Sequence, residues 1–124
     1  MQDKKILVVE DEDILADPLV EKFQKKGYTV YRAKDGKEGL SLTKKHLPDA
    51  VLVDLIMPIM DGATMLQYVK AEPNTQHIKF FVLSNIDNVD MAGKLAGLGI
   101  EDYIVKADWK LGDIVDRVGE KLKK

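Results

Sequence analysis

The chain has 124 residues, 45% apolar and 32% charged, with a formal net charge of −2 and no cysteine. It is long enough for one domain with a real core, and disulfides, thiolate nucleophiles and cysteine zinc sites are excluded. No apolar stretch approaches the ~18 residues of a membrane span, the run behind the amino terminus is too short for a signal peptide, and the charge balance suggests no direct contact with nucleic acid. The expectation is a single cytoplasmic domain over residues 1–124, with no membrane partner.

Five short apolar runs alternate with segments of helical spacing. Lys5–Val9 is the first strand candidate, and it ends on Glu10-Asp11-Glu12-Asp13. Leu15, Leu19 and Phe23 then recur every four residues, the inner stripe expected of a first helix. Pro18 interrupts it. A proline is harmless only in a helix's first turn, so either the helix begins late, with Asp17 as cap and Pro18 at its first position, or it carries a kink. Thr29–Ala33 is the second strand candidate. Asp35-Gly36-Lys37-Glu38 has the form of an N-cap followed by a capping-box acid; Leu40 and Leu42 follow, and Pro48 ends that helix. Ala50–Asp54 is a third strand that stops on a carboxylate. Asp61-Gly62 reads as turn or cap chemistry before a third helix marked by Met65, Leu66 and Val69 and ended near Pro73. Phe80–Leu83 is the fourth strand, followed by Ser84. Val89, Ala92, Leu95 and Ala96 mark a fourth helix. Its Gly93 and Gly97 each cost about 1 kcal/mol relative to alanine, so it should be the least stable helix. Tyr103–Val105 is the fifth strand, followed by Lys106, and Leu111, Ile114, Val115, Val118 and Leu122 give a clearly amphipathic fifth helix. Met57, Met60 and Met65 read as core filler, Trp109 as packing near the last helix, and His46 and His77 as surface residues.

Strand centres rich in Val, Ile and Leu without strict alternation suit parallel strands buried on both faces. Alternation with helices suits an open α/β sheet covered on both sides. Right-handed crossovers place every strand's carboxyl end on one edge, where such sheets bind their ligands. Glu10, Asp11, Asp54, Ser84 and Lys106 all map to that edge. Bare carboxylates do not sit together easily: two unit charges ~5 Å apart at an effective dielectric near 20 repel by about 3 kcal/mol. A cation reverses that sign, and oxygen-only donors suit magnesium or manganese. Magnesium is typically shared between carboxylates and phosphate oxygens. Lys106 offers a point charge and Ser84 a hydroxyl to a phosphoryl group, whose transfer needs mostly positioning and charge neutralisation. Asp54, from the middle of the array, is the best nucleophile candidate. Taken singly, Glu10 and Asp11 would be helix caps, Ser84 a turn hydroxyl, Lys106 a solvated charge and Tyr103 plain packing; joint placement is what promotes them.

Ile6-Leu7-Val8-Val9-Glu10-Asp11-Glu12, the string from Asp54 through Met57-Pro58 and Met60-Asp61-Gly62, and the placing of Ser84 and Lys106 resemble a response-regulator receiver domain over essentially the whole chain. The resemblance implies a flavodoxin-like five-stranded parallel sheet in order 2-1-3-4-5. It implies that Asp54 takes a phosphoryl group from a histidine kinase, a phosphotransfer protein or a small phosphodonor. Glu10, Asp11, Asp54 and the Ile56 carbonyl would hold the magnesium. Ser84 and Tyr103 would switch together, and the face of helix four, strand five and helix five would change its preference for a downstream protein. Such a module is not an enzyme beyond its own phosphorylation and dephosphorylation.

The chain departs from the family pattern at Ala107, where the family usually has a proline behind a cis bond. A cis bond before a non-proline costs ~2.5–4 kcal/mol, so a trans Lys106–Ala107 bond is expected. Asn85 stands where a small residue is frequent. Ile56 and Ile86, two residues past Asp54 and Ser84, offer no group to orient water, so slow self-dephosphorylation is expected. The leading expectation is a stand-alone signalling module with no output domain; three other readings compete: a receiver cut from a longer regulator, a haloacid-dehalogenase-type phosphatase with Asp11 as nucleophile and Asp13 as general acid, and a degenerate receiver used as a scaffold. The phosphatase reading lacks its motif threonine and leaves Asp54 without a role.

Overall fold

A computed structural model of the chain describes residues 4–85 and 89–123. Five strands, β1 (Lys5–Val9), β2 (Thr29–Ala33), β3 (Ala50–Asp54), β4 (Lys79–Ser84) and β5 (Asp102–Val105), alternate with five helices, α1 (Asp13–Lys25), α2 (Gly36–His46), α3 (Gly62–Ala71), α4 (Val89–Gly97) and α5 (Leu111–Leu122). The sheet is parallel throughout, in order β2-β1-β3-β4-β5. This is the flavodoxin-like architecture expected from the strand pattern and the resemblance.

Side chains alternate across the sheet and feed two cores. Ile6, Val8, Leu52, Phe81 and Ile104 pack on one face with Ala16, Leu19 and Phe23 of α1 and Ile114, Val115 and Val118 of α5. Leu7, Val9, Val51, Val53, Phe80 and Val82 pack on the other with Met65, Leu66 and Val69 of α3 and Leu95 of α4. Each fully buried Val, Leu, Ile, Phe or Met side chain among these contributes about 1.5–3 kcal/mol. Met57 and Met65 are buried and Met60 is packed against the second core, as core filler should be.

The helix starts follow their caps. Asp35 accepts from the Glu38 amide at 2.8 Å, while the Glu38 carboxylate reaches one residue further back than in a capping box, to the Lys34 amide at 2.7 Å. Asp61 accepts from the Thr64 amide at 2.8 Å. In α1 the late start with Asp17 as cap does not occur: the helix begins at Asp13 and Pro18 lies inside it. The proline removes the amide that would bond the Ile14 carbonyl, and Ile14 is 79% exposed, so water can serve that carbonyl. The buried stripe is Ala16, Leu19 and Phe23; Leu15 is 37% exposed because it overhangs the sheet's end, beside Lys106 and Trp109. Trp109 itself is half-buried against the first core.

The stripe of α4 also differs from expectation. Val89 and Ala96 face solvent and Leu95 is its buried residue, with Met91, Ala92 and Leu98 half-buried. A methyl group at Gly93 would meet no atom within 4 Å. Gly93→Ala should therefore raise stability by about 1 kcal/mol, by removing unfolded-state entropy at no steric cost; a chemical denaturation midpoint reads it. His46 is not a bare surface residue: its ring stacks on Tyr31 with centroids 3.9 Å apart and planes 12° from parallel. His77 is exposed as expected.

Candidate functional site

The carboxyl ends of the strands meet on one edge, and three elements converge there directly. Glu10 leaves β1, Asp54 ends β3, and Lys106 follows β5. The Lys106 ammonium bridges the two acids, 2.7 Å from Glu10 Oε1 and 3.3 Å from Asp54 Oδ2. All three side chains are withdrawn from solvent, at 15% exposure for Lys106, 3% for Glu10 and 11% for Asp54. Burial alone would lower the Lys106 pKa. The hydrogen bond to Glu10 and the charges of Asp54 and Glu10 outweigh it and hold the ammonium above lysine's ordinary value.

Backbone amides complete the carboxylates. Ile56 N–H donates to Asp54 Oδ1 at 3.3 Å, and Glu12 N–H donates to Glu10 Oε2 at 3.3 Å. Oxygens of Glu10, Asp11 and Glu12 all lie within 4.8 Å of one another. Partial desolvation, then the hydrogen bond and like charge of Glu10, raise the Asp11 carboxyl above its ordinary value even though its side chain faces solvent. An oxygen-only set in which one acid resists ionisation fits a hard divalent cation, which removes that resistance. Glu12 belongs to this cluster and was not singled out by sequence reasoning; it is simply the next residue of the acidic run.

Ser84 is 2% exposed at the end of β4. It lies one residue beyond Leu83, whose carbonyl accepts from the Leu55 amide at 3.1 Å, so β3 and β4 deliver Asp54 and Ser84 side by side. Ser84 and Tyr103 line one cavity of about 400 Å³, together with Leu55, Ile56, Asp61 and Met91. Tyr103 is half-buried on the face shared with α3 and α4. Ile56 is 68% exposed over the site; Ile86 lies outside the described residues. The Lys106–Ala107 bond is trans, and the chain enters a 3-10 turn over Lys106–Asp108.

The loop between β3 and α3 is tightly drawn. Met60 N–H donates back to the Pro58 carbonyl at 2.7 Å, and the Met60 carbonyl accepts from Gly36 N–H at 3.1 Å. Ile59 between them has φ +69°, a left-handed backbone that β-branched residues rarely adopt and that costs on the order of 1–3 kcal/mol. Strain of this kind is held only where the surrounding contacts over-determine the loop.

A five-stranded parallel sheet carrying a lysine between two buried acids at its carboxyl edge defines a class of signalling domain. The model of the response regulator receiver domain matches residues 6–118, and the chain belongs to that family, the receivers of two-component signalling, which interact with histidine kinases or phosphotransfer proteins. It is 34% identical over 116 residues to the transcriptional regulatory protein PrrA of Mycobacterium tuberculosis, covering 92% of this chain and 48% of PrrA. It is 34% identical over 104 residues to the response regulator PleD of Caulobacter vibrioides, covering 82% of this chain and 22% of PleD. The chain thus spans less than half the length of these curated relatives. The receiver domain of Francisella response regulator 1452 superposes with a TM-score of 0.87 at 26% identity, over 98% of each chain. Among the described residues no helix is long and apolar enough to cross a membrane.

Proposed function

We propose that this receiver accepts a phosphoryl group on Asp54 and that the Glu10, Asp11 and Asp54 carboxylates, with the Ile56 carbonyl, hold magnesium, or manganese in its place. The bound cation supplies charge neutralisation for the acids and the incoming phosphoryl oxygens. An Asp54 carboxylate oxygen attacks phosphorus; the bond from phosphorus to the donor, a histidine nitrogen or an acyl oxygen, breaks, and its electron pair leaves with the donor. Lys106 and the Ser84 hydroxyl bind phosphoryl oxygens. Ser84 and Tyr103 then rearrange around their shared cavity, and the α4–β5–α5 face changes its affinity for a downstream protein. The reading includes no direct nucleic-acid contact and no catalysis beyond the domain's own phosphorylation and dephosphorylation.

The observation that carries this reading is the Lys106 bridge between Glu10 and Asp54. It brings the proposed phosphoacceptor and one proposed cation ligand to a single buried counter-charge, which supports Asp54 over Asp11 as the acceptor. Intact mass spectrometry with a small acyl-phosphate donor and magnesium tests it. Wild type should gain one phosphoryl group and Asp54→Asn none. Label that survives Asp54→Asn and is lost in Asp11→Asn would transfer the nucleophile to Asp11 and end the proposal. The wild-type label should also decay slowly, because the exposed Ile56 side chain offers water no polar anchor; a half-life of seconds would contradict that.

A further inference from the structure

Glu10 sits one residue beyond β1, where the sheet no longer fixes its backbone fully. Its amide still bonds the Ala33 carbonyl at 3.0 Å. But β2 ends at Ala33 and the chain turns off toward α2, and the Glu10 carbonyl is taken by a side chain instead. Arg32 Nε and Nη2 both donate to that one oxygen, at 3.0 and 2.6 Å. The third guanidinium nitrogen reaches α1, with Nη1 2.8 Å from Asp13 Oδ1 and 3.7 Å from Asp17 Oδ1. The Arg32 side chain is only 18% exposed. A planar fork with several donors can do this; a lysine has the charge but not the fork.

We propose that Arg32 is a positioning residue for the acid turn: by gripping the Glu10 carbonyl it fixes the turn from which the Glu10, Asp11 and Glu12 carboxylates converge. This rests on the functional reading above only in that the convergent acids are taken to bind a divalent cation. The grip works through the backbone. With the carbonyl fixed, Glu10 Oε1 stays on Lys106 and Glu10 Oε2 on the Glu12 amide, so the turn is formed before a cation arrives. The guanidinium charge itself opposes a cation, so charge and grip have opposite effects on affinity, and Arg32→Lys separates them by keeping the charge and losing the fork.

The test is a manganese titration of the full chain, followed by loss of the free ion's paramagnetic resonance signal, on wild type and Arg32→Lys. Affinity should fall about tenfold, the low end of what outer partners of metal ligands contribute. In the metal-free protein the Glu12 amide should exchange with solvent faster in Arg32→Lys while the amides of β3 and β4 keep their protection, a pattern that general destabilisation does not give. In wild type the Arg32 Nε proton should itself be protected from exchange, a reading that needs no variant. Wild-type manganese affinity in Arg32→Lys, or a freely exchanging Nε proton, overturns the proposal. A wild type that binds no manganese overturns the functional reading instead, and the grip is then decided by the Nε proton and the Glu12 amide.

Discussion

Lys106→Met should destabilise the metal-free protein by about 3 kcal/mol at neutral pH, the cost of leaving buried charge without its partner. Glu10 and Asp54 are 3% and 11% exposed, and Lys106 touches both. Methionine keeps most of the volume and removes the charge, so the loss reports electrostatics rather than a cavity. The surface pair Lys25–Glu21 sets the contrast: its side chains are 74% and 65% exposed, and such pairs contribute at most a few tenths of a kcal/mol. Urea denaturation of Lys106→Met and Lys25→Met side by side checks both. A loss under 1 kcal/mol in Lys106→Met would mean that water screens the centre as it screens the surface.

The pH and metal dependence of that loss follow from the signs. Because the folded-state pKa of Lys106 is raised, its stabilising contribution is complete below lysine's ordinary pKa and disappears only as pH rises through the raised one. Wild type is therefore flat in this group around neutrality. In Lys106→Met the two carboxylates stay buried and lose their counter-charge, and the deficit is the cost of that unpaired buried charge. Magnesium should shrink it at neutral pH: in wild type the proposed cation shares Glu10 and Asp54 with the Lys106 ammonium, so it should bind the variant more tightly and stabilise it more by mass action.

The central strands were legible because burial on both faces makes β1, β3 and β4 nearly unbroken apolar runs, and the ends of all five strands were placed to within a residue. The residues at those ends followed from the crossover rule, and Glu10, Asp54 and Lys106 do converge. Helix faces were less legible where the sheet runs out. Leu15 has the spacing of a core residue and yet lies past the end of β1; Val89 and Ala96 keep period and face solvent. Arg32 was missed because it acts on a backbone carbonyl, which leaves no trace in residue type. Its signal was available in placement only: it shares the sheet face of Val30, toward the helix that carries Asp13 and Asp17. Ile59 was illegible for the opposite reason, since its residue type argues against the left-handed backbone it adopts. The Tyr31–His46 stack joins an edge strand to the far end of the next helix, a meeting that no local pattern encodes.

Gly62→Ala should slow phosphoryl uptake by about 10²-fold, the scale expected when reacting groups are displaced by an ångström, and should cost about 2 kcal/mol of stability as an overpacked contact. A methyl group at Gly62 would fall 2.6 Å from the Asp54 carbonyl oxygen and 3.2 Å from the Leu55 Cα. Both obstacles are backbone, and Gly62 N–H is bonded to the Leu55 carbonyl at 3.0 Å, so no side-chain rotation gives relief. The loop cannot swing away either. Its far side is fixed where the Met60 carbonyl meets Gly36 N–H at 3.1 Å, and a methyl at Gly36 would fall 2.3 Å from that same oxygen. What remains is the end of β3, and Asp54 moves with it. Time-resolved mass spectrometry with a small phosphodonor reads the rate, and urea denaturation reads the stability. Wild-type uptake in Gly62→Ala would show that α3 can retreat without disturbing Asp54. The same substitution thus carries opposite signs at two helical glycines: at Gly93 it meets open space, and at Gly62 it drives a methyl group into the Asp54–Leu55 peptide.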